Sequence, residues 1–342
     1  MMKTFSNIIQ SIPEEHWNYY HNTNTTICKP KSFADSRSFT DTYFANAEKS
    51  KIFGLDSLFS NHPWHKIEHS VSIYFLGCYF AWQLEILSHP KLILPQEKKF
   101  SEHFLFIWFL ACLFHDTYSY TEQNSPIKNY KDFISPANGH KITNLLTRRK
   151  SSLTSSALQK SIRSYYTFRQ KHWHVNDHGI SAGLILFDNL IKIRKDSEGK
   201  GSQLDFSKPV ETLYKEAAWA IATHNIYFPT ENDNNLYQSY GLSYLIGHPP
   251  ILFKESPFLY LLGLVDTIDP VKTYHCCNSD FVAEHIQLQI EKHDFGYSIQ
   301  IKVKEPLDFS LLSNKKAGIE RWLKIEYEPD TNSRTIHINI PL

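Results

Sequence analysis

The residues of this chain best suited to chemistry are histidines and aspartates set at the edges of apolar stretches. In Trp64-His65-Lys66-Ile67-Glu68-His69, His65 and His69 stand four residues apart and share one face of any helix drawn through them. Ala111-Cys112-Leu113-Phe114 runs directly into His115-Asp116. Asp177-His178-Gly179 opens an apolar stretch, and Ala220-Ile221-Ala222-Thr223 closes on His224. Leu261-Leu262-Gly263-Leu264-Val265 closes on Asp266, with Asp269 three residues further on. An ionised carboxylate buried without a partner is costly, so these groups are expected to converge on a cation or on one another. Imidazole mixed with carboxylate suits Mn, Fe, Co, Ni or Zn, whereas an all-oxygen site suits Mg or Ca. The expected cofactor is a divalent transition metal, one or two ions, with magnesium as a further option.

Helices must position these groups. Apolar-rich segments at about 64–88, 100–116, 178–194, 209–225 and 255–268 are separated by polar loops, with prolines at their edges. Beyond residue 280 the period changes. Ile286, Leu288 and Ile290 alternate with polar residues, as do Tyr297, Ile299, Ile301 and Val303 after the turn-like HDFG, which reads as a hairpin. A helix is expected within 307–321, followed by a second alternating pair at 323–327 and 336–340. The fold expected is mainly α, a helical bundle with a small C-terminal α+β module of ββαββ order. Its divisions are an N-terminal extension at 1–61, a helical metal-binding domain at 62–275 and the module at 276–342. The first 60 residues have weak periodicity and promise only short helices.

The order H, HD, H, H, D on successive helices resembles the HD superfamily of metal-dependent phosphohydrolases, across residues 62–270. The resemblance implies an all-α bundle in which His69, His115, Asp116 and Asp266 hold one metal. In two-metal members, His178 and His224 would hold a second and Asp116 would bridge the two. It also implies hydrolysis of a phosphate ester, of a nucleotide or other phosphorylated small molecule, by a metal-activated water, with Asp116 in the catalytic machinery. In cyclic-nucleotide phosphodiesterases, a histidine four residues before the metal-binding one protonates the leaving oxygen, a general-acid role that falls to His65 here. The chain departs from the HDxGK pattern, since its doublet continues Thr117-Tyr118-Ser119. It also lacks the GYP signature of a further subfamily.

Composition narrows the partners. With 36 basic and 35 acidic residues the net charge is +1, which excludes a globally basic nucleic-acid binder. The charge is uneven, however. Residues 141–171 carry Lys141, Arg148, Arg149, Lys150, Lys160, Arg163, Arg169 and Lys171 with no acid, interleaved with Tyr165, Tyr166 and Phe168. Arg163, Arg169 and Lys171 are therefore candidate substrate-binding residues, in a segment that would funnel phosphate or stack bases. This keeps open an HD-type nuclease on single-stranded nucleic acid, alongside a non-catalytic nucleotide-binding or regulatory protein. The longest apolar run, Phe104 to Phe114, falls short of the roughly 20 residues needed to span a bilayer, so no membrane partner is expected. The N-terminus shows no signal-like apolar core, and the five cysteines show no CxxC spacing. Reduced thiols and a cytoplasmic location are expected.

Overall fold

A computed structural model describes residues 2–19, 27–45, 64–85, 99–119, 130–135, 141–147, 154–197, 210–294 and 296–341. The side chains at 44, 45, 64, 65, 99–103, 197 and 210 lie outside that description. The chain enters through a short strand β1 (Lys3–Thr4), helix α1 (Phe5–Ser11) and helix α2 (Ser36–Ala45). Two long helices follow, α3 (Trp64–Gln83) and α4 (Lys99–Phe114), then a short α5 (Tyr130–Ile134). Next come α6 (Ser156–Trp173), α7 (His178–Ser197), α8 (Val210–Thr223), a short α9 (Asn234–Ser239) and α10 (Pro257–Ile268). A one-turn α11 (Pro270–Thr273) and α12 (Ser279–His285) lead into the sheet.

Burial explains which helices lie at the centre. Every residue of α3 from His69 to Ala81 is buried, as is every described side chain of α4. A helix that is apolar all round has no water-facing side and must be enclosed by others. The pair α3 and α4 is accordingly packed together, with α10 and α8 against them and α7 against α8. The 104–114 run is thus core, and among the described residues no helix is long and apolar enough to cross a membrane. Cys78 and Cys112 are buried free thiols within α3 and α4.

The α7–α8 contact is unusually close because both faces are small. A methyl group on Gly183 would lie 2.5 Å from the Ala218 carbonyl oxygen and 2.8 Å from the Ala222 Cβ. On Gly179 it would lie 2.8 Å from the His224 ring. Glycine spaced four residues apart against alanine lets two helix backbones approach more nearly than larger side chains allow.

The C-terminal module follows the alternation. Strand β2 (Ile286–His293) and β3 (Gly296–Val303) form the first hairpin, and β4 (Glu326–Asp330) and β5 (Thr335–Pro341) the second. Helices α13 (Ser310–Ser313) and α14 (Lys316–Trp322) lie between them. The sheet is antiparallel, in the order β1-β2-β3-β5-β4. Register sets Ile299 opposite Ile338 and Ile301 opposite Ile336, all four buried on one face. The β2 edge is not bare, because Lys3 and Thr4 pair with Leu288 and Gln287. The N-terminal extension therefore completes the C-terminal sheet. The remaining edge, β4, is short, acidic and carries Pro329, features that discourage further strand addition.

The module is fastened to the back of α10. Ile251 accepts from Lys324 and donates to Trp322 through the backbone at 2.8 and 2.9 Å, and the Tyr260 hydroxyl donates to the Lys324 carbonyl at 3.0 Å. Lys315 donates to the Thr267 carbonyl and, at 2.6 Å, to the Thr273 hydroxyl. Burial, and then repulsion from Lys272, lowers the Lys315 ammonium to about 8.

Candidate metal centre

Each candidate histidine and aspartate lies at, or near, one end of a helix, and the fold brings those ends together. His115 and Asp116 directly follow α4, His224 directly follows α8, and Asp266 lies in the last turn of α10. Helix C-termini carry negative partial charge and unpaired carbonyls, so three of them converging favours a cation. His69 comes from the second turn of α3, and His178 is the first residue of α7.

The same local device holds two of the rings. The His115 Nδ1–H donates to the Cys112 carbonyl at 2.8 Å, and the His224 Nδ1–H donates to the Ile221 carbonyl at 2.6 Å. In each case the imidazole caps its own helix three residues back. The opposite nitrogen, Nε2, is left with its lone pair directed away from the helix and into the cluster.

The ligand atoms form two triads. His69, His115 and Asp266 make the first, Asp116, His178 and His224 the second, and within each the ligand atoms lie within 4.8 Å of one another. In the first, His69 Nε2 is 3.1 Å from His115 Nε2 and 3.1 Å from Asp266 Oδ1, which lies 3.5 Å from His115. In the second, His178 Nε2 is 3.1 Å from Asp116 Oδ1 and 3.3 Å from His224 Nε2. Asp116 joins them: Oδ1 is 4.0 Å from His115 Nε2, and Oδ2 is 4.0 Å from His69 Nε2. Imidazole nitrogens facing one another beside carboxylates are the donor set of a transition-metal site, so these residues fit a metal ion.

Surrounding groups orient the ligands. Asp269 caps α11, accepting from the Lys272 amide at 2.8 Å, and also accepts from His69 Nδ1 at 2.7 Å while Ser72 donates to its other oxygen. This carboxylate–histidine pairing is the usual support for a metal-binding ring. His178 is contacted instead by the Asn225 amide, 3.2 Å from Nδ1. Asp177 begins α7 by accepting from the Ile180 amide at 2.8 Å.

Ionisation follows from these contacts. Burial pulls His69 down, but its bonds to Asp266 and Asp269 outweigh that and raise its pKa. His224 goes the other way, lowered to about 3 by burial and by the neighbouring His178 and His115. Burial would raise Asp116, yet His115 and His178 hold it well below the usual carboxylate range. Lys272 and the two histidines of the first triad do the same for Asp266 against its burial.

The six ligands expected from the sequence, His69, His115, Asp116, His178, His224 and Asp266, are thus brought together. His65 lies on the first turn of α3 and its side chain is outside the described residues. The basic segment behaves differently. Arg169 pairs with Asp177 at 3.5 Å and lies over the Trp173 ring, so it braces the start of α7. Arg163 and Lys171 are exposed, and among the described residues no hydrogen bond or ion pair joins either to the cluster. Residues 148–150 of that segment lie outside the described residues.

Two lysines stand at the centre that the sequence reading passed over. Lys66 donates to Asp116 Oδ2, and Lys272 donates to both oxygens of Asp266 at 2.6 and 2.8 Å. Lys66 had a legible signal, since it sits three residues before His69, close to it on the same helix. Lys272 had none, because a turn and the separate helix α11 return it to Asp266. No protein-family model, curated protein or solved structure matches this chain.

Proposed function

We propose that this chain is a metal-dependent phosphohydrolase of the HD type, hydrolysing a phosphate ester, of a nucleotide above all, through a metal-activated water. One observation carries the reading: two His/Asp triads adjoin through a single carboxylate, Asp116, whose oxygens reach toward both. His69, His115 and Asp266 would hold one divalent ion, and His178 and His224 with Asp116 a second. Bound ions of this kind supply acidification of water near neutral pH and neutralisation of phosphoryl oxygens.

The protein's own groups do the rest. Asp116 fixes the spacing of the triads, and its depressed pKa keeps it an anion. Asp269 holds the His69 ring in one orientation. His65 is proposed to protonate the leaving oxygen. The alternative of single-stranded nucleic acid as substrate is supported by the exposed Arg163 and Lys171 on α6.

Metal analysis of the purified chain, followed by turnover of mono-, di- and cyclic nucleotides with manganese, tests the proposal. Replacing His115 and Asp116 together with alanine is expected to abolish both metal content and turnover. A folded double variant that keeps its metal and its turnover overturns it.

A further inference from the structure

The two lysines at the centre are difficult to reconcile with a site that only gathers cations. Lys66 and Lys272 each hold an oxygen of a ligand carboxylate, so each competes with a metal for that carboxylate. They are also more exposed than the carboxylates they hold. The Lys66 and Lys272 side chains are 24% and 42% exposed, whereas their partners Asp116 and Asp266 are 6% and 15% exposed.

Charge balance gives the lysines a purpose. Around the cluster stand three carboxylates, Asp116, Asp266 and Asp269, and three ammoniums, Lys66, Lys272 and Lys315. With the imidazoles counted as neutral, these six charges sum to zero before any ion binds. Two divalent ions leave a large positive excess in a mostly buried place, and a single hydroxide removes only one charge of it. Once the carboxylates face metal, both lysines lose the anion they hold, and a charge-assisted hydrogen bond to a phosphate oxygen would replace it. A doubly charged phosphate with three free oxygens satisfies two ammoniums and the excess charge together. A diester, singly charged with two free oxygens, satisfies them less well.

We propose that Lys66 and Lys272 form the subsite for the substrate's phosphate, and that the site selects a phosphate dianion, as in a phosphomonoester, over a phosphodiester. The inference rests on the two-metal reading above and deepens it. The lysine that the HDxGK pattern places after the doublet has no counterpart here, and the charge arrives from α3 and α11 instead.

The test is binding, with metal content measured alongside. Manganese-loaded protein is titrated calorimetrically with inorganic phosphate and with dimethyl phosphate, for the wild type, Lys66→Met and Lys272→Met. Inorganic phosphate is expected to bind the wild type at least roughly tenfold more tightly than dimethyl phosphate. Each substitution is expected to weaken phosphate roughly tenfold, the loss of one charge-assisted hydrogen bond. Manganese uptake by both variants is expected to be unchanged or tighter, since a competing cation is gone.

Equal affinity for the two anions, or unchanged phosphate affinity in both variants, overturns the inference and leaves the two-metal reading standing. Loss of manganese from either variant places that lysine in metal retention and also overturns the inference. Failure of the wild type to take up any of manganese, iron, cobalt, nickel or zinc overturns the two-metal reading and the inference with it.

Discussion

His69 and His178 enter the centre from different triads and are gripped by different groups. His69 is buried and gives Nδ1–H to Asp269, a fully buried carboxylate that Ser72 and the start of α11 hold in turn. His178 is half-buried and meets the neutral Asn225 amide. Their partners differ as well. Asp266 is shared by two imidazoles in the first triad, while Asp116 meets His178 closely and reaches the first triad only at 4.0 Å. A carboxylate behind a ligand ring raises its basicity and fixes its angle. On the two-metal proposal, the difference predicts that the first triad holds its ion more tightly than the second.

The largest expected effect breaks the comparison by removing what the triads share. Asp116→Ala should drop both metal equivalents by at least about 100-fold in affinity and abolish turnover, read by metal analysis and assay of one preparation. Two retained equivalents would mean that Asp116 is not the joint between the triads. Next in size, Asp269→Asn removes the anionic support of His69 alone. It should weaken the first ion by about 10–100-fold and leave the second nearly unchanged in a metal titration. Equal weakening of both would erase the distinction drawn here.

Gly179→Ala probes the other side. Its methyl group would sit 2.8 Å from the His224 ring, so the ring must shift or α7 must move off α8. Overpacking of this kind costs about 1–3 kcal/mol, measurable by denaturant unfolding, with the weaker ion lost first. A variant with unchanged stability and both ions would show that the α7–α8 contact is looser than its geometry implies.

The smallest effect is in pH. His69 is raised in the folded chain, so in metal-free protein its contribution to stability is complete below its unfolded value, about 6.5, and is lost as pH rises through the folded value. His224 is lowered to about 3, so its contribution is complete above about 6.5 and is lost as pH falls toward 3. Unfolding of metal-free His69→Gln across pH 5–9 should therefore show a deficit that shrinks with rising pH, and His224→Gln one that shrinks with falling pH. Parallel profiles would place both rings in one electrostatic setting and remove the difference between the triads.

Much of this was legible before any coordinates. Two apolar stretches that each run into a histidine indicated groups that converge, as His115 and His224 do, although the capping of their own helices by these rings was not foreseen. Alternation beyond residue 280 located the first hairpin and the last strand, although β4 runs Glu326–Asp330 rather than over 323–327 and the single expected helix between the hairpins is two short ones, α13 and α14. The N-terminal extension was opaque, because a two-residue strand such as Lys3–Thr4 has no period to detect and exists only where β2 offers an edge. The basic segment misled in part. Eight like charges suggested a surface for phosphate, yet Arg169 is turned inward to Asp177, a pairing that requires the folded turn between α6 and α7. The small-residue faces of α7 and α8 were present as Gly179, Gly183, Ala218 and Ala222, and their spacing of four was the signal to read.

What the sequence determined alone is therefore local: which stretches are helix, which are strand, and which helix ends carry an imidazole or a carboxylate. Those properties depend on residue type and on a period of a few positions. The tertiary structure decided how the six candidate ligands divide into two triads, that Asp116 lies between them, that Asp269 backs one ring only, and that Lys66 and Lys272 stand against Asp116 and Asp266. These are relations among residues up to 200 positions apart, as His69 and Asp269 are. They depend on how closely helices pack and on which charges remain unpaired once water has been excluded.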